Sequence, residues 1–202
     1  MKTIFLDIGA YIGDTIPIAL EYGIFDVIHA FEPVKELYPI IESNINDDKV
    51  ILHKYGLLDS DCEKTIYCSG TEGGSIFKDK DQRGKVGPPV KCKFKKASDW
   101  FKNNISDDDN VYVKLNVEGA EIAILNDLID NKQYYKINNV LICFDILKVP
   151  GGNKLFKGMI NKFKKFNIHN YSITGNIKGK VRSTGIKATI NNMIKYWLDG
   201  SV

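Results

Sequence analysis

Histidine is scarce in this chain, cysteine is unpaired, and neither sign of charge dominates. The three histidines (His29, His53, His169) stand apart from one another. The four cysteines (Cys62, Cys68, Cys92, Cys143) form no C-x-x-C pair and no Cys/His spacing typical of zinc. Structural histidines and reduced thiols are the expectation. Lys and Arg number 28 against 25 Asp and Glu, a formal net charge of +3, which argues against a dedicated nucleic-acid surface. No apolar run approaches the roughly 18–20 residues needed to cross a bilayer. The N-terminal apolar residues also meet Asp7 too early for a secretion signal. The expectation is a cytoplasmic chain with no membrane and no nucleic-acid partner.

What is present is the composition of a folded domain. With 202 residues, 44% of them hydrophobic and 26% charged, the chain can bury a core without staples. No repeat, low-complexity tract or linker interrupts it, so residues 1–202 read as one domain. Short β-rich runs alternate with helix-length segments, the pattern of an α/β fold with a mostly parallel sheet. Strands are predicted over 3–6, 26–31, 50–53, 63–68, 90–96 and 111–115, with a fully buried one over 140–146. Helices are predicted from the first glycine turn to about Gly23, over 35–45 with Pro39 in the first turn, after a Ser98 or Asp99 cap, over 118–130 and over 154–166. Residues 168–173 and 185–190 read as a closing antiparallel pair, and 191–198 as a last helix. An insertion of about residues 63–97 carries a long polar loop over 69–89.

The first turn carries the strongest chemical signal. The first strand runs into Asp7-Ile8-Gly9-Ala10-Tyr11-Ile12-Gly13-Asp14-Thr15 and then a helix. Such a turn offers backbone amides to a ligand, and Gly9 and Gly13 let the chain pass close to it. The spacing is not that of a dinucleotide fingerprint: counted from Gly9, Tyr11 and Asp14 occupy the places of the second and third glycines. A carboxylate at Asp14, and another at Asp7, would repel a pyrophosphate and suit a ligand carrying an ammonium. Glu32 ends the second strand, where a carboxylate accepts the two hydroxyls of a ribose, and Pro33 stiffens the turn after it. A zwitterionic or cationic nucleoside fits this set; the alternative is an ordinary βα turn.

This block, with Ala30-Phe31-Glu32-Pro33 and Lys114-Leu115-Asn116-Val117-Glu118-Gly119-Ala120-Glu121, resembles the signature blocks of FkbM-family methyltransferases over roughly residues 3–146. The resemblance implies a Rossmann-like class I methyltransferase fold: a mostly parallel central sheet with an antiparallel closing strand and helices on both faces. It also implies S-adenosylmethionine as cofactor and a sugar or glycoside hydroxyl as acceptor. By the same resemblance Asp7, Gly9, Ala10, Tyr11, Gly13, Asp14 and Thr15 hold the methionine end, and Glu32 with Pro33 the ribose. Gly56, Leu57 and Asp59 then flank the adenine. Two residues depart from the family pattern: Tyr11 stands where asparagine is common, and Asn116, beside the transferred methyl, stands where aspartate is usual. Asparagine can hydrogen-bond a hydroxyl but cannot take its proton.

Methyl transfer to a sugar hydroxyl gains from a base within hydrogen-bond reach. Lys114, Asn116 and Glu118 alternate along the end of the 111–115 strand, and Asp145 ends the next one, which makes these four the catalytic candidates. Glu118 and Glu121 read equally well as first-turn carboxylates favoured by the helix dipole, with Lys114 as an ion-pair partner. Asn116, Glu118 and Asp145 are oxygen ligands of the kind Mg²⁺ takes, but no metal is expected. The long loop reads either as a cover for the acceptor, with Ser75 and Phe77 near the site, or as a solvent loop. Tyr171, Arg182, Tyr196 and Trp197 are candidates for an opposite wall, with burial in the core the expectation for Tyr196 and Trp197. Two other readings remain open: transfer to another small-molecule hydroxyl or amine, and a non-catalytic S-adenosylmethionine-binding subunit. Oligomeric state is not legible.

Overall fold

The computed structural model describes residues 1–45, 47–82, 84–174 and 194–195. In chain order the elements are β1 (Thr3–Ile8), α1 (Ile16–Glu21), β2 (Val27–Phe31), α2 (Tyr38–Asn44), β3 (Val50–His53) and β4 (Gly56–Leu58). They continue with β5 (Cys62–Ile66), β6 (Val90–Lys96), α3 (Ala97–Asn104), β7 (Asn110–Leu115), α4 (Glu121–Asp130), β8 (Ile137–Ile142), α5 (Gly152–Lys165) and β9 (Tyr171–Ile173). Six strands form one sheet in the order β3-β2-β1-β7-β8-β9, every neighbouring pair parallel. A second sheet, β4-β6-β5, mixes a parallel and an antiparallel pair.

Period-two alternation sends the side chains of each strand to opposite layers. From β1, Ile4, Leu6 and Ile8 face one layer while Phe5 faces the other. The first layer is closed by Trp100 and Phe101 of α3, Ile124, Leu125 and Leu128 of α4, and Met159 and Phe163 of α5. The second is closed by Ile16 and Ala19 of α1 and by Ile194. Helices thus cover both faces, as a parallel sheet requires. Among the described residues no helix is long and apolar enough to cross a membrane.

Several expectations are corrected. Residues 171–173 join β8 in parallel; their expected antiparallel partner, 185–190, lies outside the described residues, as do most of 191–198. The apolar run 140–146 leaves the sheet after Ile142, and Asp145–Lys148 forms a 3₁₀ turn. Phe144 and Ile146 are buried there against the first helical layer, so apolarity alone did not mark a strand. Neither Ser98 nor Asp99 caps α3; its N-cap is Lys96, with no side-chain bond. Ser98 instead donates through its backbone N–H (2.7 Å) and hydroxyl (3.0 Å) to buried Asp127, which also accepts from the Asn131 amide at 2.8 Å.

Candidate functional site

In the large sheet the chain steps from β1 outward to β2 and β3, then returns to place β7 on β1's other side. The order reverses between β1 and β7, and the carboxyl end of such a switch point is where open α/β sheets form a crevice. A cavity of about 560 Å³ lies there.

Two close contacts shape its floor. Gly9 adopts φ 89° and lies so near β7 that a Cβ on it would fall 1.9 Å from the Asn116 carbonyl oxygen. The Asn116 N–H donates to the Ile8 carbonyl at 3.0 Å, and the N–H groups of Gly9 and Ala10 both donate to the Phe31 carbonyl. The ends of β1, β2 and β7 are therefore fixed to one another at the cavity. Beneath them, Lys114 donates to Asp7 Oδ1 and to the Gly9 carbonyl, each at 2.7 Å. Thr15 donates its hydroxyl to the other Asp7 oxygen. Asp7 is fully buried, and it does not line the cavity.

Glu32 does line it. The Tyr11 N–H donates to its Oε2 (2.9 Å) and the Val34 N–H to its Oε1 (2.8 Å), so both oxygens are pinned in orientation. Burial raises its pKa from 4.5 to about 7, against the lowering effect of those two N–H groups and of Lys114. Tyr11 reaches its place through a left-handed backbone, φ 55°. Val34, Leu37, Gly56, Leu57, Ile66 and Phe94 make one end of the cavity apolar.

Across from them lies a second cluster. Glu118, at φ 55° and followed by Gly119 at φ 115°, belongs to the turn between β7 and α4. The helix starts only at Glu121, so Glu118 is not one of its first-turn carboxylates. Glu118 pairs with Lys80, whose ammonium is almost wholly buried and also donates to the Gly73 carbonyl at 3.2 Å. Burial, and then the nearby Asp145 carboxylate, raise the Glu118 pKa above the usual carboxyl range; Lys80 opposes them. Asp145 is held by Lys148 at 2.5 Å. Glu121 accepts from the Gly119 N–H (2.8 Å) and the Ile146 N–H (3.3 Å), and burial pushes its pKa up to about 8. Its role is to tie the β7 and β8 ends together. Asn116 Oδ1 is buried in the cavity wall with no hydrogen-bond partner among the described residues.

The structure therefore brings Gly9, Ala10, Tyr11, Asp14, Glu32, Pro33, Gly56, Leu57, Lys114, Asn116, Glu118 and Asp145 to one cavity. Asp7, Gly13, Thr15 and Asp59 are not on its wall. Gly13, at φ 76°, shapes the turn behind it, and Asp59 is exposed beyond β4. Ser75 and Phe77 lie behind the wall as well. The Ser75 hydroxyl donates to the Glu118 carbonyl at 2.6 Å, and the Phe77 ring packs on Gly119, where a Cβ would meet it at 3.0 Å. Both brace the Glu118 turn. Lys114 pairs with Asp7, leaving Glu118 to Lys80, a partner sequence reading missed because nothing local distinguishes Lys80 from its neighbours. Tyr171 belongs to β9 and packs on Phe163, while Arg182, Tyr196 and Trp197 lie outside the described residues. Among the described residues no group of three or more His, Cys, Asp or Glu side chains is arranged to hold a metal ion.

The model of the methyltransferase FkbM domain matches residues 7–169. Compared with curated proteins, the chain finds no match. Among solved structures it is similar to methyltransferase FkbM from Methylobacillus flagellatus KT, at 14% identity and a TM-score of 0.46. That alignment covers 80% of this chain and 37% of the other, so the chain spans well under half the length of that relative.

Proposed function

The chain belongs to the FkbM methyltransferase family, and from that premise we propose that it transfers a methyl group from S-adenosylmethionine to a hydroxyl of a sugar or glycoside. The observation that carries this reading is Glu32, a carboxylate at the β2 end with both oxygens oriented by backbone N–H groups and facing a cavity. Each oxygen keeps a lone pair for a ribose hydroxyl. The apolar end around Leu57 and Phe94 suits an adenine, and the carboxylate that lines the cavity near the turn, and so meets the ammonium, is that of Asp14 and not that of Asp7. The unpartnered Asn116 Oδ1 supports the fit, because a buried acceptor is normally satisfied by something.

When bound, S-adenosylmethionine supplies a methyl group on a sulfonium, electrophilic enough for in-line displacement by oxygen. The chain's own residues contribute position and proton transfer. Glu32 and the Gly9–Tyr11 backbone hold one reactant, and Asn116 orients the acceptor hydroxyl without deprotonating it. Glu118, its pKa raised by burial and by Asp145, is the base: its carboxylate takes the hydroxyl proton as the new C–O bond forms and the C–S bond breaks. Lys80 holds that carboxylate in place.

The test is methyl-labelled S-adenosylmethionine with a panel of glycosides, other alcohols and amines, using wild type and Glu118→Gln. Labelled glycoside is expected with wild type. The variant should turn over at least about 100-fold more slowly, the lower range for loss of a general base, with unchanged affinity for S-adenosylhomocysteine. Label confined to amines, or full turnover by Glu118→Gln, would overturn the corresponding part of the reading.

A further inference from the structure

The segment between β5 and β6 is a built loop. Its ends are held where the Ser69 N–H and hydroxyl both donate to the Pro88 carbonyl, at 3.2 and 2.8 Å. Within it Thr71 donates to the Cys68 carbonyl at 2.8 Å, and Tyr67 and Ser75 exchange two backbone hydrogen bonds. It is also tied to the other side of the cavity. Lys80 pairs with Glu118, and the Asp81 N–H donates to the Lys148 carbonyl at 2.9 Å. The next residue is Gln82, which lines the cavity.

Gln82 is anomalous for a loop residue. Both its amide oxygen and its amide nitrogen are shielded from solvent, and neither has a hydrogen-bond partner among the described residues. Burying an amide unpaired costs free energy that a surface loop has every means of avoiding. Its location limits what would satisfy it. Its oxygen rests against Gly73, where a Cβ would come within 2.7 Å, and the carbonyl of the same Gly73 accepts from Lys80. Gln82 is thus one residue removed from the group that holds Glu118. Glu32 directly follows β2 instead, and Leu57 lies within β4.

We propose that Gln82 is a specificity-determining residue for the acceptor, its amide pairing with two adjacent hydroxyls of a polyhydroxylated ligand. This rests on the methyltransferase reading of the same cavity. A primary amide offers one acceptor and two donors in a plane, and a vicinal diol offers a donor and an acceptor on each oxygen. One hydroxyl donates to the Gln82 oxygen and its neighbour accepts from the nitrogen. A site with such buried polar groups discriminates strongly against analogues lacking one hydroxyl, because the amide is then left unpaired.

Two titrations test this. The first measures S-adenosylhomocysteine binding to wild type, Gln82→Leu and Gly73→Ala; it reads the cofactor site alone. The second titrates methyl glycosides and their mono-deoxy derivatives into each protein, with and without saturating S-adenosylhomocysteine. The Gly73→Ala variant retains the amide and displaces it, so a loss shared by both variants is not a consequence of the missing side chain's volume. The expected result is equal S-adenosylhomocysteine affinity in all three proteins. A parent glycoside should bind wild type at least about tenfold more tightly than either variant, and one deoxy position should matter in wild type but not in Gln82→Leu. Equal glycoside affinity in wild type and Gln82→Leu would overturn the proposal. Loss of S-adenosylhomocysteine affinity on Gln82→Leu would also overturn it, by assigning Gln82 to the cofactor. Glycoside binding to no protein, while S-adenosylhomocysteine binds, would overturn it and leave the cofactor reading standing. Failure of S-adenosylhomocysteine itself to bind wild type is the separate failure of that reading.

Discussion

Asp7 and Glu32 are both acidic residues at parallel strand ends, yet their surroundings give them different work. Asp7 accepts from Lys114 and Thr15 and is sealed from the cavity; Glu32 accepts from the backbone N–H groups of Tyr11 and Val34 and faces it. Truncating one partner of a buried ion pair strands the other charge, at a typical cost of about 3–5 kcal/mol. Asp7→Ala is therefore expected to lower stability by about that amount in denaturant unfolding, and Lys114→Met to behave similarly. The double variant should recover part of the loss. If Asp7→Ala unfolds at the wild-type midpoint, the pair is not the brace described here. Sequence reading placed Asp7 among the ligand contacts because its partner lies 107 positions away, beyond the reach of any local pattern. The place of Glu32 on the cavity wall was legible because it directly follows a strand and precedes a proline.

The turns at the sheet's carboxyl edge decide how the elements meet. Gly9 admits the Asn116 carbonyl into space that any Cβ would occupy, and its φ of 89° is strained for other residues. Gly9→Ala is accordingly predicted to force β1 and β7 apart at the cavity. The expected readout is loss of S-adenosylhomocysteine binding together with a lowered Tm; wild-type values for both would mean that the close approach is relaxed in solution. Element boundaries were readable wherever one pattern acted alone, as in β3 and β6, whose predicted spans of 50–53 and 90–96 match the observed ones. They were misread where burial came from elsewhere. Phe144 and Ile146 are apolar because they pack into the layer that α4 and α5 close, and β4 is too short to carry an alternation. Lys80 and Gln82 were illegible for a related reason, since their meaning comes from the folded path of a polar loop.

The molecule as a whole carries titratable groups displaced in opposite directions. Burial raises Glu32 to about 7 and Glu121 to about 8 from an ordinary 4.5, and raises Glu118 as well. Because these folded pKa values lie above the unfolded ones, the native state binds protons that the unfolded chain releases. Their contribution is complete below about pH 4.5 and is lost as pH rises through 7 and 8. His29 and His53 run the other way. They are hydrogen-bonded to each other at 2.9 Å beside Trp100, and burial lowers each from 6.5 to about 4. Their contribution is present above pH 6.5 and is lost as pH falls towards 4. Between pH 8 and 6.5 the three carboxyl groups outweigh the two histidines, each carboxyl acting at up to about 1.4 kcal/mol per pH unit. The ligand-free protein is expected to melt at a higher temperature at pH 6.5 than at pH 8. A Tm that rises with pH over that interval would contradict the carboxyl assignments.

On the reading proposed above, the cavity at the β1/β7 switch point holds a nucleoside through Glu32. Calorimetric titration of S-adenosylhomocysteine into wild type and Glu32→Ala, each verified as folded, tests it most directly. Saturable one-to-one binding by wild type is expected, with at least about tenfold weaker binding by the variant, the scale of hydrogen bonds to a charged group. Equal affinity in the two proteins, or no binding by folded wild type, would contradict it.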